Sequence, residues 1–596
     1  MKKILLLISI TCIQVSLLAQ TNINSSPVAG HWTLAGSPYI INVNIAVAGG
    51  TTLTIDAGVV VKFVGLGQFD IAGSLIAHGT AANRIVFEAN DTTGWYNDMA
   101  TSGGWHGIHF NQFSGTVDST VFVNCDIKDC KHGVPGNWNG IEALFLWRNI
   151  KIDSCNIYHC QSNTSSAEGV TVLIQGGAVE MSHCRIHDCD NRVCALRIGT
   201  GNNDYIKITD SRIDHNTGGG CGIWIITAHV LFERNEVDNN TGILYDGAAL
   251  KVTGDHVVIR HCKIHHNQSE NEAAICCFLG KIDIDGNLIC NNWHTNGNCG
   301  LVDGGGGIHV MLNNAGAFDS TFYLIRNNVI ANNYSAYYGG GIYVYNTRAE
   351  VMNNHIINNG AWFGGGGIFA LGSATIVNMF NNIFKNNQTF FWNADSADVY
   401  LFPIYKMSYN HNWAEFRFKH NVRFGGTGVI VAGDTAHNVI GNDPMLLAPT
   451  INCTYTEDAT AAFFGLNTGS PCIDAGDTTG CFHTQVDYSY NTRLQGWYID
   501  IGAFEVDGWT WGITQTADSD LEIHIYPNPA SNEINFVFPN EGNHDVTITD
   551  LFGREVLHEK FSIQHPSLNI QNLSSGIYFA GVKTLFGSKT YKFVKQ

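Results

Sequence analysis

One six-residue phrase recurs ten times in this chain: Asn, Cys or Ser, any residue, Ile, Val or Phe, two further residues, then Asn or Cys. The copies begin at Cys125, Cys155, Cys184, Ser211, Asn235, Cys262, Asn287, Asn328, Asn354 and Asn382. The intervals are 30, 29, 27, 24, 27, 25, 41, 26 and 28 residues. A period of this size marks a stack of similar units, each of which buries its apolar face only against its neighbours.

Within each unit the signals are those of strands. Three residues before each start stands an apolar side chain, Phe122, Ile152, Met181, Ile208, Phe232, Ile259, Ile284, Ile325, Val351 or Met379, and five before come residues such as Val179, Ile206 and Val257. That alternation buries one face of a strand. A second strand follows a small residue, as in "GIHF" at Gly107, "GIYV" at Gly341 and "GIFA" at Gly367. Such coils, stacked about 4.8 Å apart, form parallel sheets around an apolar interior. The fold expected is all-β, a right-handed parallel β-helix. Inward Asn side chains then form a hydrogen-bonded column along the axis. Cys125, Cys155 and Cys184, with Cys130, Cys160 and Cys189, fill the same slots. Three stacked cysteines cannot all pair, so buried thiols are expected rather than disulfides.

Composition agrees with a packed, turn-rich chain: 65 glycines, 11 prolines and 14% charged residues. The formal charge of -19 is spread without runs, which sets aside nucleic acid and anionic membrane surfaces as partners. Lys2 and Lys3 ahead of the apolar stretch from Ile4 to Leu18 and Ala19 read as a signal peptide over 1–19. No later segment has the ~20 apolar residues of a membrane helix, so no transmembrane segment is expected in the mature chain.

The segment containing "TLTIDAGVVVKF" resembles the opening coils of secreted bacterial β-helix proteins, and "SPCIDAGD" (Ser470 to Asp477) with "IDIGAFE" (Ile499 to Glu505) resembles their closing segment. Asp487 and Arg493 lie between these phrases and read as a structural cap. "YPNP", "LFGREV", "SSGIYF" and the basic end at Lys592 and Lys595 resemble the C-terminal sorting domain of the Bacteroidota type IX secretion system. This resemblance implies a small β-sandwich that engages the secretion machinery, and a location outside the cell or on the outer surface of the outer membrane. The expected organisation is an N-terminal cap with first coils over 20–120, regular coils over 121–400, last coils and closing segment over 401–507, a linker over 508–520, and the sorting domain over 521–596.

By analogy with β-helix enzymes, chemistry is sought on the outward face of the Gly-led strands. The expected outward column runs His109, Glu142, Thr171, Arg197, Trp224, Lys251, His309, Tyr343 and Phe369. Trp224, His309, Tyr343 and Phe369, with Tyr338 and Trp362 at the glycine edge, are candidate carbohydrate-binding residues, because flat apolar rings suit the C–H face of a pyranose. Arg197, Lys251 and Glu142 are the candidate catalytic set of a polysaccharide lyase, which needs a base and a cation to neutralise a uronate. On the opposite, turn side, His187, Asp214, Asp238 and His265 stack in one column. They offer ligand types for a divalent cation such as Ca²⁺, although no cofactor is required; the alternative is a solvated turn whose charges satisfy one another.

The function expected is that of a secreted or cell-surface protein binding or displaying toward a polysaccharide or surface glycan, as an adhesin or scaffold. The alternative is a polysaccharide lyase-like or glycoside-cleaving enzyme working in a groove on one sheet. No complete catalytic set emerges, which favours the first.

Overall fold

The computed structural model describes residues 20–506 and 524–596, apart from interruptions of which the largest are 132–141, 391–403 and 425–438. The expected signal peptide and linker lie outside the described residues. Chain contacts divide into two units, 1–508 and 509–596.

In the first unit each coil contributes a strand to each of several parallel sheets. One complete coil comprises Ile342–Tyr345 in the first sheet, Arg348–Met352 in the second, His355–Ile357 in the third and Gly360–Ala361 in the fourth. The next coil follows in register, pairing Tyr343 with Phe369, Val351 with Met379, Ile356 with Phe384 and Ala361 with Thr389. Inward residues at these rungs, such as Val344, Val351 and Ile356, are fully buried and form one continuous core that reaches back to Trp32.

The corners depend on backbone handedness. The residue just before each phrase position adopts positive φ: His183 (52°), Asp188 (51°), Asn353 (55°) and Asn358 (53°) are examples. Asn, Asp and His tolerate this left-handed conformation better than branched residues do. In the pairs Asn353-Asn354 and Asn358-Asn359, therefore, the first residue turns the chain and the second enters the column.

The column is the expected amide ladder. Asn333 Nδ2 donates to Ile289 O of the preceding coil at 2.9 Å and to Asn359 Oδ1 of the following coil at 3.0 Å. Its Oδ1 accepts from the backbone N–H of Asn292 at 3.2 Å and from Asn292 Nδ2 at 2.9 Å. In the earlier coils cysteines fill both ladder positions of the phrase; at the first, Cys155 Sγ lies 3.7 Å from Phe122 O, and Cys184 Sγ lies 3.8 Å from Ile152 O. The cysteines in the ladder positions, Cys125, Cys130, Cys155, Cys160, Cys184, Cys189 and Cys262, are buried thiols, and burial pushes the Cys262 thiol up to about 12.

The closing segment does not plug the end of the stack. Leu446, Phe464, Leu466, Cys472, Ile501, Ala503 and Phe504 pack sideways onto the outward face of the third sheet, against Leu288, Cys290, Val329, Ala331, Ile357 and Ile383. The corner asparagines hold it there. Asn291 Nδ2 donates to Glu457 O at 2.7 Å, Asn358 Nδ2 to Thr450 O at 2.7 Å, and Asp477 N–H donates to Asn381 Oδ1 at 2.8 Å.

Within the contact, Asp487 accepts from the N–H groups of Asn491 at 2.7 Å and Glu505 at 2.8 Å, and Arg493 donates to Gly502 O. Both residues are buried, and their role here is to fold the closing segment onto the sheet.

In the second unit an antiparallel sheet containing Glu533–Val537 and another containing His544–Thr549 and Gly576–Thr584 share a core of Ile534, Phe536, Ile548, Ala580 and Phe593, the arrangement of a small β-sandwich.

Candidate functional site

The outward face of the first sheet carries the column that the Gly-led strands create. Hydrogen-bonded register gives its true membership: His109, Phe145, Leu173, Arg197, Trp224, Lys251, Cys276, His309, Tyr343 and Phe369. Glu142 is not in it. The strand of that coil begins at Leu144, so Phe145 takes the rung and Glu142 lies buried ahead of the strand. Thr171 is likewise displaced by Leu173, and its hydroxyl is turned to Asn191 Oδ1 at 2.5 Å. The catalytic triplet expected from the sequence therefore does not assemble: Arg197 and Lys251 share the column and Glu142 does not.

Arg197 and Lys251 approach Trp224 from neighbouring rungs. The Arg197 guanidinium carbon lies 5.0 Å from the indole, and Lys251 Nζ lies 5.2 Å from it and 4.7 Å from the Phe278 ring. Cations at these distances are attracted to the ring faces and fix the indole. Trp224 is half-buried, resting on Val170, Leu173 and Cys194 beside Phe145 and Val193. Arg197 Nε and Trp224 Nε1 have no hydrogen-bond partner among the described residues. Two positive side chains and one indole share a partly open patch, and the two unpartnered nitrogens lie beneath its surface.

Further along, the same face closes. Cys276, His309, Tyr343 and Phe369 are fully buried. His309 stacks on Tyr343 at 4.6 Å, and Tyr338 stacks on Phe369 at 4.2 Å. Enclosed rings offer no face to a sugar, so His309, Tyr343 and Phe369 are packing residues here, contrary to the expectation from the sequence. Tyr338 is half-buried with them, and Trp362 at the edge is exposed. The glycines make this possible: Gly339 and Gly365 have φ of 67° and 64°, and a Cβ on either would meet Tyr343 or Phe369.

On the turn side the register aligns His187, Asp214, Asp238 and His265 as expected. Asp214 is fully buried and accepts from Arg185 Nε at 2.8 Å and Nη2 at 2.5 Å; Asp238 is also fully buried and accepts from Arg212 at 2.8 and 2.7 Å. Burial raises the Asp214 carboxyl, but Arg185, His215 and Arg212 outweigh it and hold the group below its ordinary value. Glu236, Asp238 and His265 bring ligand atoms within 4.8 Å of one another, as do Asp214, His215 and Asp238. A cation there competes with guanidinium groups already in place. His187 stands outside both groups, with Nδ1 2.6 Å from Asp188 and its ring stacked on Tyr158.

Nothing in the repeat phrase points to Trp147 and Tyr205, two exposed aromatic residues at the end of a first-sheet strand and just ahead of a second-sheet strand. The available signal was a Trp or Tyr at a strand margin, where the apolar alternation stops.

Residues 106–245 and 146–323 match the family described as right handed beta helix region, and residues 524–596 match the secretion system C-terminal sorting domain. Comparison with curated proteins finds no match. Among solved structures, the chain is similar to the pectate lyase Pel9A at 13% identity and a TM-score of 0.29, over 82% of this chain and 98% of that one. Together with the coils, ladder and sandwich, the two family matches establish a secreted right-handed parallel β-helix protein that carries a type IX C-terminal sorting domain.

Proposed function

We propose that this secreted protein binds an acidic polysaccharide on the outward face of its first sheet, as a surface adhesin or scaffold. The observation that carries the reading is the half-buried Trp224 held between the cationic side chains of Arg197 and Lys251 on neighbouring rungs. The flanking cations pair with a carboxylate or sulfate, and the exposed part of the indole between them gives a sugar ring apolar contact.

The test is equilibrium binding of the full-length protein to polygalacturonate, alginate and dextran. Binding to a uronate polymer that weakens with salt, and falls about tenfold or more in Arg197→Ala and Lys251→Ala, supports the reading. Equal binding of dextran, or unchanged affinity in both variants, defeats it. Release of ultraviolet-absorbing unsaturated products would move the protein to the lyase class, with Lys251 as the first residue to test as base.

A further inference from the structure

A groove of about 1090 Å³ runs along the corner between the first and second sheets. It spans three successive coils, whose second-sheet strands include Val121–Val123, Ile150–Asp153 and Val179–Ser182. That volume is at the upper end of the ~300–1,000 Å³ typical of small-molecule sites, and its length follows the stacking axis.

Two large rings rise from its rim. Trp147 is 43% exposed and Tyr205 is 48% exposed, in a protein whose other strand aromatics are mostly enclosed. Trp147 is propped edge-on by Phe145, at 6.2 Å and 85°, which holds the indole without covering both faces. Beside Trp147, on the next rung, stand its register partner Gly176 and then Gly177. Gly177 has φ of 87°, and a Cβ there would run into the Arg148 backbone, so this part of the wall carries no side chain.

The charges that line the groove are already paired. Lys151 Nζ meets Glu180 at 2.5 Å. Arg148, whose side chain is nearly buried, donates to Asp118 at 2.8 Å and to Gly73 O at 3.0 Å. Asp153 accepts from Ser182 Oγ at 2.7 Å and lies 2.7 Å from His183 Nδ1. Burial is the largest single influence and raises the Asp153 carboxyl, but His183, Ser182 and Ser154 together prevail and keep it below its ordinary value, so it remains an anionic acceptor. With each charge locally compensated, the groove has no strong field to select an ionic ligand. It offers aromatic faces together with many acceptors and donors, a combination that recognises polyhydroxylated rings.

We propose that this groove is a second carbohydrate site, one that takes an uncharged pyranose chain lying along the helix axis, with rings on Trp147 and Tyr205 and hydroxyls on Asp153, Glu180 and Lys151. It differs from the Arg197–Trp224–Lys251 patch in its residues, in its corner position and in the charge of its ligand. The proposal does not depend on the acidic-polymer reading.

The experiment is calorimetric titration of the full-length protein with cello-, laminari- and manno-hexaose at low and high salt, alongside tryptophan fluorescence. Expected is saturable binding of at least one oligosaccharide, insensitive to salt, weakened about tenfold or more by Tyr205→Ala and by Trp147→Ala. Arg197→Ala and Lys251→Ala are expected to leave it unchanged. Trp147→Phe, which keeps an aromatic ring, guards against misfolding: it retains measurable binding but loses the fluorescence change. The proposal is overturned if no uncharged oligosaccharide binds, if binding disappears at high salt, or if Tyr205→Ala and Trp147→Ala both bind as the unmodified protein does. Loss in Arg197→Ala with retention in Tyr205→Ala would assign the binding to the first-sheet patch and equally overturn the groove.

Discussion

Arg185 reaches across one coil to Asp214, its Nε 2.8 Å and its Nη2 2.5 Å from the two carboxylate oxygens. The acid is fully buried and the guanidinium is 41% exposed on its side chain, so the pair seals a corner that would otherwise admit water. Arg212 and Asp238 repeat the contact one coil further on.

Asp214→Asn is expected to cost about 1–3 kcal/mol, the range for hydrogen bonds to charged groups. Because the folded carboxyl lies below its ordinary value of 3.8, its stabilisation is present above that value and is lost as pH falls through the folded value. Thermal midpoints of the two proteins should differ at neutral pH and converge in acid. A difference that persists unchanged in acid would show that the charge is not responsible.

Asn333→Ala removes a side chain that makes and receives bonds in both directions along the ladder. The Ile289 carbonyl and the Asn292 donors are then left buried, a loss of about 3 kcal/mol or more. Hydrogen exchange should show faster exchange of the Asn292 amide, centred on coils 292 to 359. Uniform exchange rates along the whole stack would contradict a local ladder role.

Gly502 has φ of 112°, and a Cβ there would strike the imidazole of His355. Gly502→Ala should loosen the closing segment by about 1–3 kcal/mol while leaving the early coils intact. Limited proteolysis checks this: faster cutting within 443–506 is expected, with the fragment before Leu288 surviving. Simultaneous loss of both regions would mean that the segment is needed for the stack itself.

The same contact is expected to respond to pH in two opposed ways. Burial pushes Glu505 up to about 8 and Asp500 up to about 6, against ordinary values of 4.5 and 3.8. Acids raised in the folded state favour folding at low pH, and their contribution declines as pH climbs through those intervals. Burial, helped by Arg493, lowers His355 from 6.5 to about 3, so its contribution is complete above 6.5 and declines as pH falls toward 3. Resistance to proteolysis within 443–506 should therefore be greatest near about pH 4–4.5, where the gain from His355 is offset by the losses from Asp500 and Glu505. Glu505→Gln should flatten the alkaline limb alone; an unchanged alkaline limb in that variant would remove Glu505 from the explanation.

The repeat phrase made the coils legible because each inward residue meets its own counterpart in the next coil, so one pattern reports the whole stack. Asn354 and Asn359 were readable as ladder residues on that ground. The outward column was less legible. In most coils a glycine or alanine stands two residues before the rung; here that residue is Ala143 rather than Gly140, and counting from Gly140 put Glu142 on a rung that belongs to Phe145. Tyr343 and Phe369 could be placed outward from alternation alone, yet alternation says nothing about what lies over a sheet. The closing segment illustrates the same limit. Its phrases were recognisable, but its seat was written in the outward residues of the third sheet, which change from Arg212 and Asp214 to Val329 and Ala331 where the segment lies.

The amide ladder has a sense as well as a position. From Asn216 to Asn240, Asn240 to Asn267 and onward to Asn387, each Nδ2 donates to the Oδ1 of the coil that comes later in the chain. The side-chain dipoles add along the axis instead of alternating, and neighbours polarise one another. A coil completed earlier thus presents a row of oriented donors, and the following coil arrives as acceptor. The ladder therefore has two unlike ends, donors facing the later coils and acceptors facing the earlier ones.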